Sequence, residues 1–436
     1  MLLRNRRILF VLVLACALTA LSAEPLDFAW PQWRGPNLNG SSSVARNLPV
    51  TWSATENVAW RVALPSWSAA TPAIWGDMAF VTSAEEGFDG SKANTNDKIL
   101  LLAISRKDGS VRWQRIIGSD NQTRRKQNLS SPSPITDGRH VWSMTGSGSL
   151  QCHDFNGKEI WSRNIQDDFG AFGLNHGYAS SPLLHGGKLY LQVLHGMTTD
   201  APSYVLAIDK TTGKDVWRVE RSTDAVFESP DSYSTPTIVV VRGEPQLVVL
   251  GGDYVTGHNL DKGTEIWRMG GMNPERHRFY RTIASALTIG DIVYASSTRG
   301  KPFMAFRPTG TGLLPASAIL WKNELGSDVP TPVTDGKRIF VVNDRGIVVA
   351  LDAQTGHISW DRQRIEAGTY SSSPLLADGK IYAVNEEGST TVLSAGEEFK
   401  VLAVNRLDSR TLASPIAVGD QLFIRTADAL YCLAKR

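Results

Sequence analysis

The chain of 436 residues contains only three cysteines. Cys16 falls in the first apolar stretch, which leaves Cys152 and Cys432 for the rest of the protein. Two cysteines in a chain of this size exclude a disulfide framework. Neither sign of charge is in real excess: 45 basic side chains stand against 43 acidic ones. That balance supports no broad electrostatic attraction to nucleic acid or to an anionic membrane. Beyond residue 23 no run is long and apolar enough to span a bilayer as a helix. Helical periodicity is missing, and so are H-E-x-x-H, C-x-x-C, G-x-S-x-G, a P-loop and an EF-hand loop. The eight histidines show no metal-ligand spacing.

The start of the chain has its own pattern. Arg4, Arg6 and Arg7 precede an apolar stretch from Ile8 to Leu21, and Ser22 and Ala23 follow. This order of a charged, an apolar and a small-residue region predicts a cleaved export signal over residues 1–23. A periplasmic or extracellular location follows. Removal of the signal leaves 42 basic and 43 acidic side chains, a net charge of −1. Val13-Leu14-Ala15-Cys16 loosely resembles a lipoprotein cleavage box, although its leucine at the second place departs from the pattern. A lipid anchor on Cys16 is therefore the alternative, but the apolar run continuing past the cysteine favours an ordinary signal.

What the sequence does have is a repeat. Five segments align on a tryptophan: AISRKDGSVRW, CHDFNGKEIW, AIDKTTGKDVW, GHNLDKGTEIW and ALDAQTGHISW, ending at Trp113, Trp161, Trp217, Trp267 and Trp360. A sixth copy is split by an insertion and ends at Trp321. A glycine stands four residues before each continuous tryptophan, at 109, 157, 213, 263 and 356. Strand, tight turn, strand is the physical content, and Gly109, Gly157, Gly213, Gly263 and Gly356 supply the positive φ of the turn. A second element precedes each copy: Ser/Thr/Ala, usually with Pro, then aliphatics, a glycine turn and an alternating strand, as in SPLLHGGKLYL and TPVTDGKRIFVV. Eight such elements occur.

Two hairpins per unit give four antiparallel strands, the content of a β-propeller blade. The last unit stops after three strands, and the fourth is found at the other end of the chain, in ENVAWRVAL around Trp60. The expected fold is thus all-β: an eight-bladed propeller over residues 56–436, whose last blade is completed by an N-terminal strand. Closure leaves no open sheet edge. Cys152 and Cys432 fall in different blades, where sister units carry alanine (Ala207, Ala350), so they read as small buried core residues too far apart to pair.

The A-h-D-x-x-T-G-x-x-x-W units resemble the repeats of the PQQ-like β-propellers, from about Asn57 to the end. That superfamily includes the quinoprotein alcohol dehydrogenases and the BamB outer-membrane assembly lipoproteins. The segment WPQWRGPNLNG (30–40), within a lead-in of residues 24–55, resembles the stretch ahead of the propeller in exported members. Trp30 and Trp33 are expected to pin it onto a propeller face. The dehydrogenases hold their quinone over the axis with calcium, using Glu, Asn and Asp, and sandwich it with a disulfide between adjacent cysteines. No Cys-Cys pair exists here, and no metal ligand maps onto a matching motif. The resemblance therefore implies no catalytic residue and no cofactor, with PQQ and calcium only under the alternative of a divergent quinoprotein oxidoreductase.

Candidate binding residues lie on the long loops between blades, where function tends to sit on a rigid scaffold. Tyr178, Tyr233 and Tyr370 stand three or four residues ahead of a strand-initiating proline, and Arg281 takes the equivalent place in the fifth unit. With His176, Arg124, Arg125, Arg276 and Arg278 they are expected to ring one mouth of the channel. Tyrosine and arginine are residue types enriched in binding hot spots. The reading is a monomeric, exported, non-catalytic scaffold that binds a protein or another macromolecule through this loop face. A BamB-like assembly lipoprotein is the other alternative, with Cys16 as its anchor.

Overall fold

A computed structural model describes residues 28–85, 97–119, 121–407 and 409–436. The signal segment 1–23 and Cys16 lie outside the described residues.

The strands assemble into eight main sheets, each a propeller blade. Blade 6 shows the pattern: Val333–Thr334 innermost, then Arg338–Val342, Ile347–Asp352 and Ile358–Arg364, all antiparallel. Middle strands are largely buried because both of their faces meet neighbouring blades; Ile99–Ser105 is buried at every position. Outermost strands such as Val111–Gly118 are largely exposed. The eighth blade joins Ile416–Val418, Gln421–Arg425 and Ala429–Leu433 to Val58–Ala63. Trp60 lies opposite Cys432, and the ring is closed by the N-terminal strand.

The repeat tryptophans fasten each blade to the next. Trp60 Nε1 donates to the Arg106 carbonyl of blade 1 at 2.8 Å. Trp113, Trp161, Trp217, Trp321 and Trp360 do the same to Phe155, Lys210, Leu260, Ala353 and Glu397. The turn glycines have a second reason to be glycine besides their positive φ. A Cβ on Gly213 would stand 2.7 Å from the Trp161 ring of the preceding blade, and Gly109 meets Trp60 in the same way. Trp267 is the exception. The next blade's outer hairpin carries an insertion whose Gly312–Leu313 pairs in parallel with Trp267 and Arg268, and Trp267 donates to Gln246 of its own blade.

Across the strand pair each tryptophan faces a small residue: Ala103, Cys152, Ala207, Gly257, Ala305, Ala350 or Cys432. Blade 7 lacks the tryptophan and compensates in place, with Val392 opposite Ala403. Both cysteines are free and buried. Burial pushes each thiol up to about 12, which makes them inert packing residues.

The lead-in lies over the end of the ring that bears the hairpin turns, reaching into the central channel and then running out over blades 7 and 8, where the backbone N–H groups of Arg46, Leu48 and Trp52 donate to Gly419, Asp378 and Asn405. Ala29–Trp30 pairs with the innermost strand of blade 1. The Pro31 carbonyl accepts from Thr136 in blade 2, and Gln32 exchanges hydrogen bonds with Leu184 in blade 3. Arg34 reaches across to the Pro332 and Pro374 carbonyls of blades 6 and 7, at 2.6 and 3.1 Å. Ser41–Ser42 then runs parallel to Leu376–Ala377. The reason is chemical: innermost strands leave backbone groups facing the axis, and this polar segment satisfies them. Trp30 is fully buried and Trp33 only partly so.

Candidate functional site

The opposite end of the channel is open and built from the loops between blades. A cavity of about 430 Å³ sits over the axis, with walls from loops of nearly every blade. Its apolar surface comes from Ala69, Ala179, Ile283, Val329 and Leu412, and its charged groups from Arg124, Arg125, Lys126, His176, Arg281, Asp328 and Asp344.

One wall is a small hairpin in which Thr123–Arg124 pairs with Gln127–Asn128. Arg125 forms its turn with a φ of 60°. The hairpin is tied down on both sides. Gln127 Nε2 donates to the His176 and Gly177 carbonyls, and Lys126 Nζ lies 2.7 Å from Glu386 of blade 7. Asn128 Nδ2 donates to the Trp67 carbonyl and fixes its base. Lys126 therefore spans the mouth, while Arg124 and Arg125 face the cavity without a carboxylate partner among the described residues.

The opposing wall centres on Glu228, a residue the sequence did not single out. Its carboxylate is buried, 3.3 Å from His176 Nε2 and 4.0 Å from Arg281 Nε. Asn175 Nδ2 donates to it at 3.1 Å. Tyr233 contributes its hydroxyl, which accepts from the His176 backbone N–H at 3.0 Å. Burial, seconded by Arg281, lowers the imidazole's proton affinity, so His176 is held as a neutral, positioned group near neutral pH.

Of the sequence candidates, Tyr233, Arg281, His176, Arg124 and Arg125 meet at this cavity. Tyr178 and Tyr370 do not. Tyr178 is 1% exposed and stacks on Phe172 within an apolar cluster. Tyr370 is wholly buried and donates to the Glu366 carbonyl at 2.8 Å. At their places the chain is already turning into the blade, so the rings point between sheets rather than toward the axis. Arg276 stands outside the cavity, paired with Asp224 at 3.0 Å, and Arg278 covers the Phe227 ring. The missed residues, Glu228, Asp328, Asp344, Lys126 and Glu386, come from five different loops, and no local spacing connects them.

Beneath the cavity, Asp231 ties two loops together. It accepts from the backbone N–H groups of Asn175, Gly196 and Met197. Burial nevertheless raises its pKa from 3.8 to about 6, against the opposing pull of those three donors. Between these values the folded state binds the proton more tightly than the unfolded state, so stability falls as pH rises through 3.8 to about 6. Asp231→Asn is expected to flatten this part of the stability profile. Thermal melts across that range check it, and an unchanged slope in the variant would refute the assignment.

The donor set does not suit a calcium-bound quinone. Among the described residues no three His, Cys, Asp or Glu side chains converge as a metal cage. Asp328 and Asp344 stand beside guanidinium groups rather than in the oxygen-rich shell that calcium takes.

Fold and site together define a propeller closed by its own N-terminal strand, plugged at one end and open at a charged mouth at the other. The profile of the family described as outer membrane protein assembly factor BamB matches residues 41–171 and 96–362, and the chain belongs to that family. The BamB of Escherichia coli K12 is 23% identical over 314 residues, covering 62% of this chain and 76% of that protein. Among solved structures, BamB from Moraxella catarrhalis superposes with a TM-score of 0.60 at 13% identity, over 86% of this chain and 98% of that one. The quinohemoprotein alcohol dehydrogenase from Comamonas testosteroni gives 0.64 at 10% identity, over 94% and 81%. At such identities these superpositions show the fold alone. No helix among the described residues is long and apolar enough to cross a membrane.

Proposed function

We propose that this chain is an exported, non-catalytic scaffold that binds a protein partner through its loop face, in the service of envelope protein assembly. The observation that carries this reading is the inequality of the two ends. One end of the channel is filled by the lead-in, whereas the other presents a concave mouth of apolar patches and charges held by a rigid ring. Kinship with proteins named as outer membrane assembly factors supports the assembly role.

The test uses Arg125→Ala, His176→Ala and Arg281→Ala combined. Cross-linking of the wild-type protein in its own envelope fraction should capture a protein partner. The triple variant should lose that capture while still melting cooperatively, although at a lower temperature, because Glu228 is left buried without its two cationic neighbours; Arg125→Ala alone, on the hairpin turn, should weaken capture with its melting temperature nearly unchanged. Undiminished capture would place the interface elsewhere. Dye-linked alcohol oxidation on adding PQQ and calcium would overturn the non-catalytic part. A mature N-terminus at Glu24, read by mass spectrometry, is expected for the cleaved signal; a lipid on Cys16 would mark an anchored form instead.

A further inference from the structure

The mouth does not end at its rim. Asp328 and Asp344 line it and also line a second concavity of about 600 Å³ that runs outward between blades 5 and 6. The walls of this cleft carry an excess of basic groups, with Arg299 and Lys301 on one side and Arg345, Arg362 and Arg364 on the other, against the carboxylates of Glu324, Asp328 and Asp344. Lys301 is neutralised by Glu324 and Arg362 by Asp361, each at 2.7 Å. Arg299, Arg345 and Arg364 form no ion pair among the described residues. Leu325 and Ile347 provide an apolar floor.

Three guanidinium groups without an ion-pair partner among the described residues stand around one concavity and repel each other; Arg364 is held only by a hydrogen bond to the Arg345 carbonyl at 3.4 Å. Arg299 also sits in the left-handed region, with a φ of 60°, where a non-glycine residue is strained by about 1 kcal/mol. Its backbone N–H donates to Asp328 Oδ1 at 3.0 Å, and its guanidinium lies 5.9 Å from the Tyr280 ring centre, so the strained position is fixed.

We propose that this cleft docks an extended acidic peptide segment of a protein partner. The inference rests on the partner-binding reading above and names the chemistry of what is bound. A strand alternates its side chains, so acidic residues on one side meet Arg299, Arg345 and Arg364 while apolar ones on the other meet Leu325 and Ile347. Asp328 and Asp344 at the inner end are placed to accept from peptide N–H groups, donors that a phosphate chain lacks.

The experiment measures fluorescence polarisation of a short labelled peptide alternating Glu and Val on the full mature protein. Binding is expected, weakening with salt, and absent for the same peptide with Lys in place of Glu. Arg299→Ala, Arg345→Ala and Arg364→Ala together should weaken it about tenfold or more, because several charges are lost at once. Arg112→Ala on the exposed outer strand of blade 1 should bind as wild type. Equal affinity for the triple variant, no binding by the wild type, or preferential capture of anionic phosphatidylglycerol vesicles through these arginines would each overturn the proposal. The broader reading is judged separately: if envelope-partner capture still depends on Arg125, His176 and Arg281 while the peptide fails, only the cleft assignment falls.

Discussion

Trp60→Ala is expected to cost about 3–5 kcal/mol, a large part of the roughly 5–15 kcal/mol that holds a folded domain together. Three losses add up at one place. The indole fills space over Gly109 of blade 1, whose backbone comes so close that a Cβ would stand 2.7 Å from the ring. Its Nε1 satisfies the Arg106 carbonyl, and its rings pack on Phe423 at 5.9 Å between centres. Trp60 also sits on the only strand that joins the last blade to the start of the chain, so no neighbouring covalent connection compensates. Trp60→Phe keeps most of the packing and should cost far less, chiefly the hydrogen bond at about 1 kcal/mol. Denaturant melts of both variants check this. A Trp60→Ala protein as stable as wild type would mean that the closing strand contributes little to the ring.

Arg34→Ala should be the next most damaging surface-remote substitution, at about 3 kcal/mol. The guanidinium is completely buried without a carboxylate, a position in which desolvation works against its charge. It is held by the carbonyls of Pro332, Pro374 and Asn39, and those acceptors lose their donor when it goes. Gly40 packs against it so tightly that a Cβ there would stand 2.1 Å from its Nη2. Lysine offers one ammonium in place of a planar fork and should not restore the loss. The expected signature is specific: limited proteolysis should cut the lead-in before any blade, with the propeller core intact. If Arg34→Lys melts and resists protease like wild type, the fork geometry is not what anchors the segment.

The architecture was legible because a repeat multiplies its own signal. One glycine four residues before one tryptophan says little, while five in register, with Trp60 supplying a missing strand, specify a closed ring. What the repeat hid was its partner. Every repeat tryptophan but Trp267 serves the following unit rather than its own, and only the packing of the blades places Trp161 on Gly213 or Trp60 on Gly109. The site was less legible. Tyr178 and Tyr370 stand four residues ahead of their prolines and Tyr233 three, and the first two rings end in cores while the third reaches the mouth. Arg299, Arg345 and Arg364 look like scattered surface charges in the sequence, because the cleft that collects them lies between blades. Arg34 was hidden by composition: an arginine in a polar lead-in gives no sign that carbonyls 298 and 340 residues away will bury it.

That last separation bears on how the molecule comes into being. Arg34 is made early, and its acceptors on blades 6 and 7 follow some three hundred residues later; Arg61 meets Tyr431 across 370 residues. The entropy of closing so long a loop grows only slowly with length, but contacts this distant slow folding. During synthesis or passage through a membrane, the strand Val58–Ala63 has no partner until almost the whole chain is present, and its free edge is open to foreign strands. The early stages of this protein's life are therefore its most aggregation-prone, and a chaperone that shields the first sixty residues would protect the ring more than one that shields any finished blade.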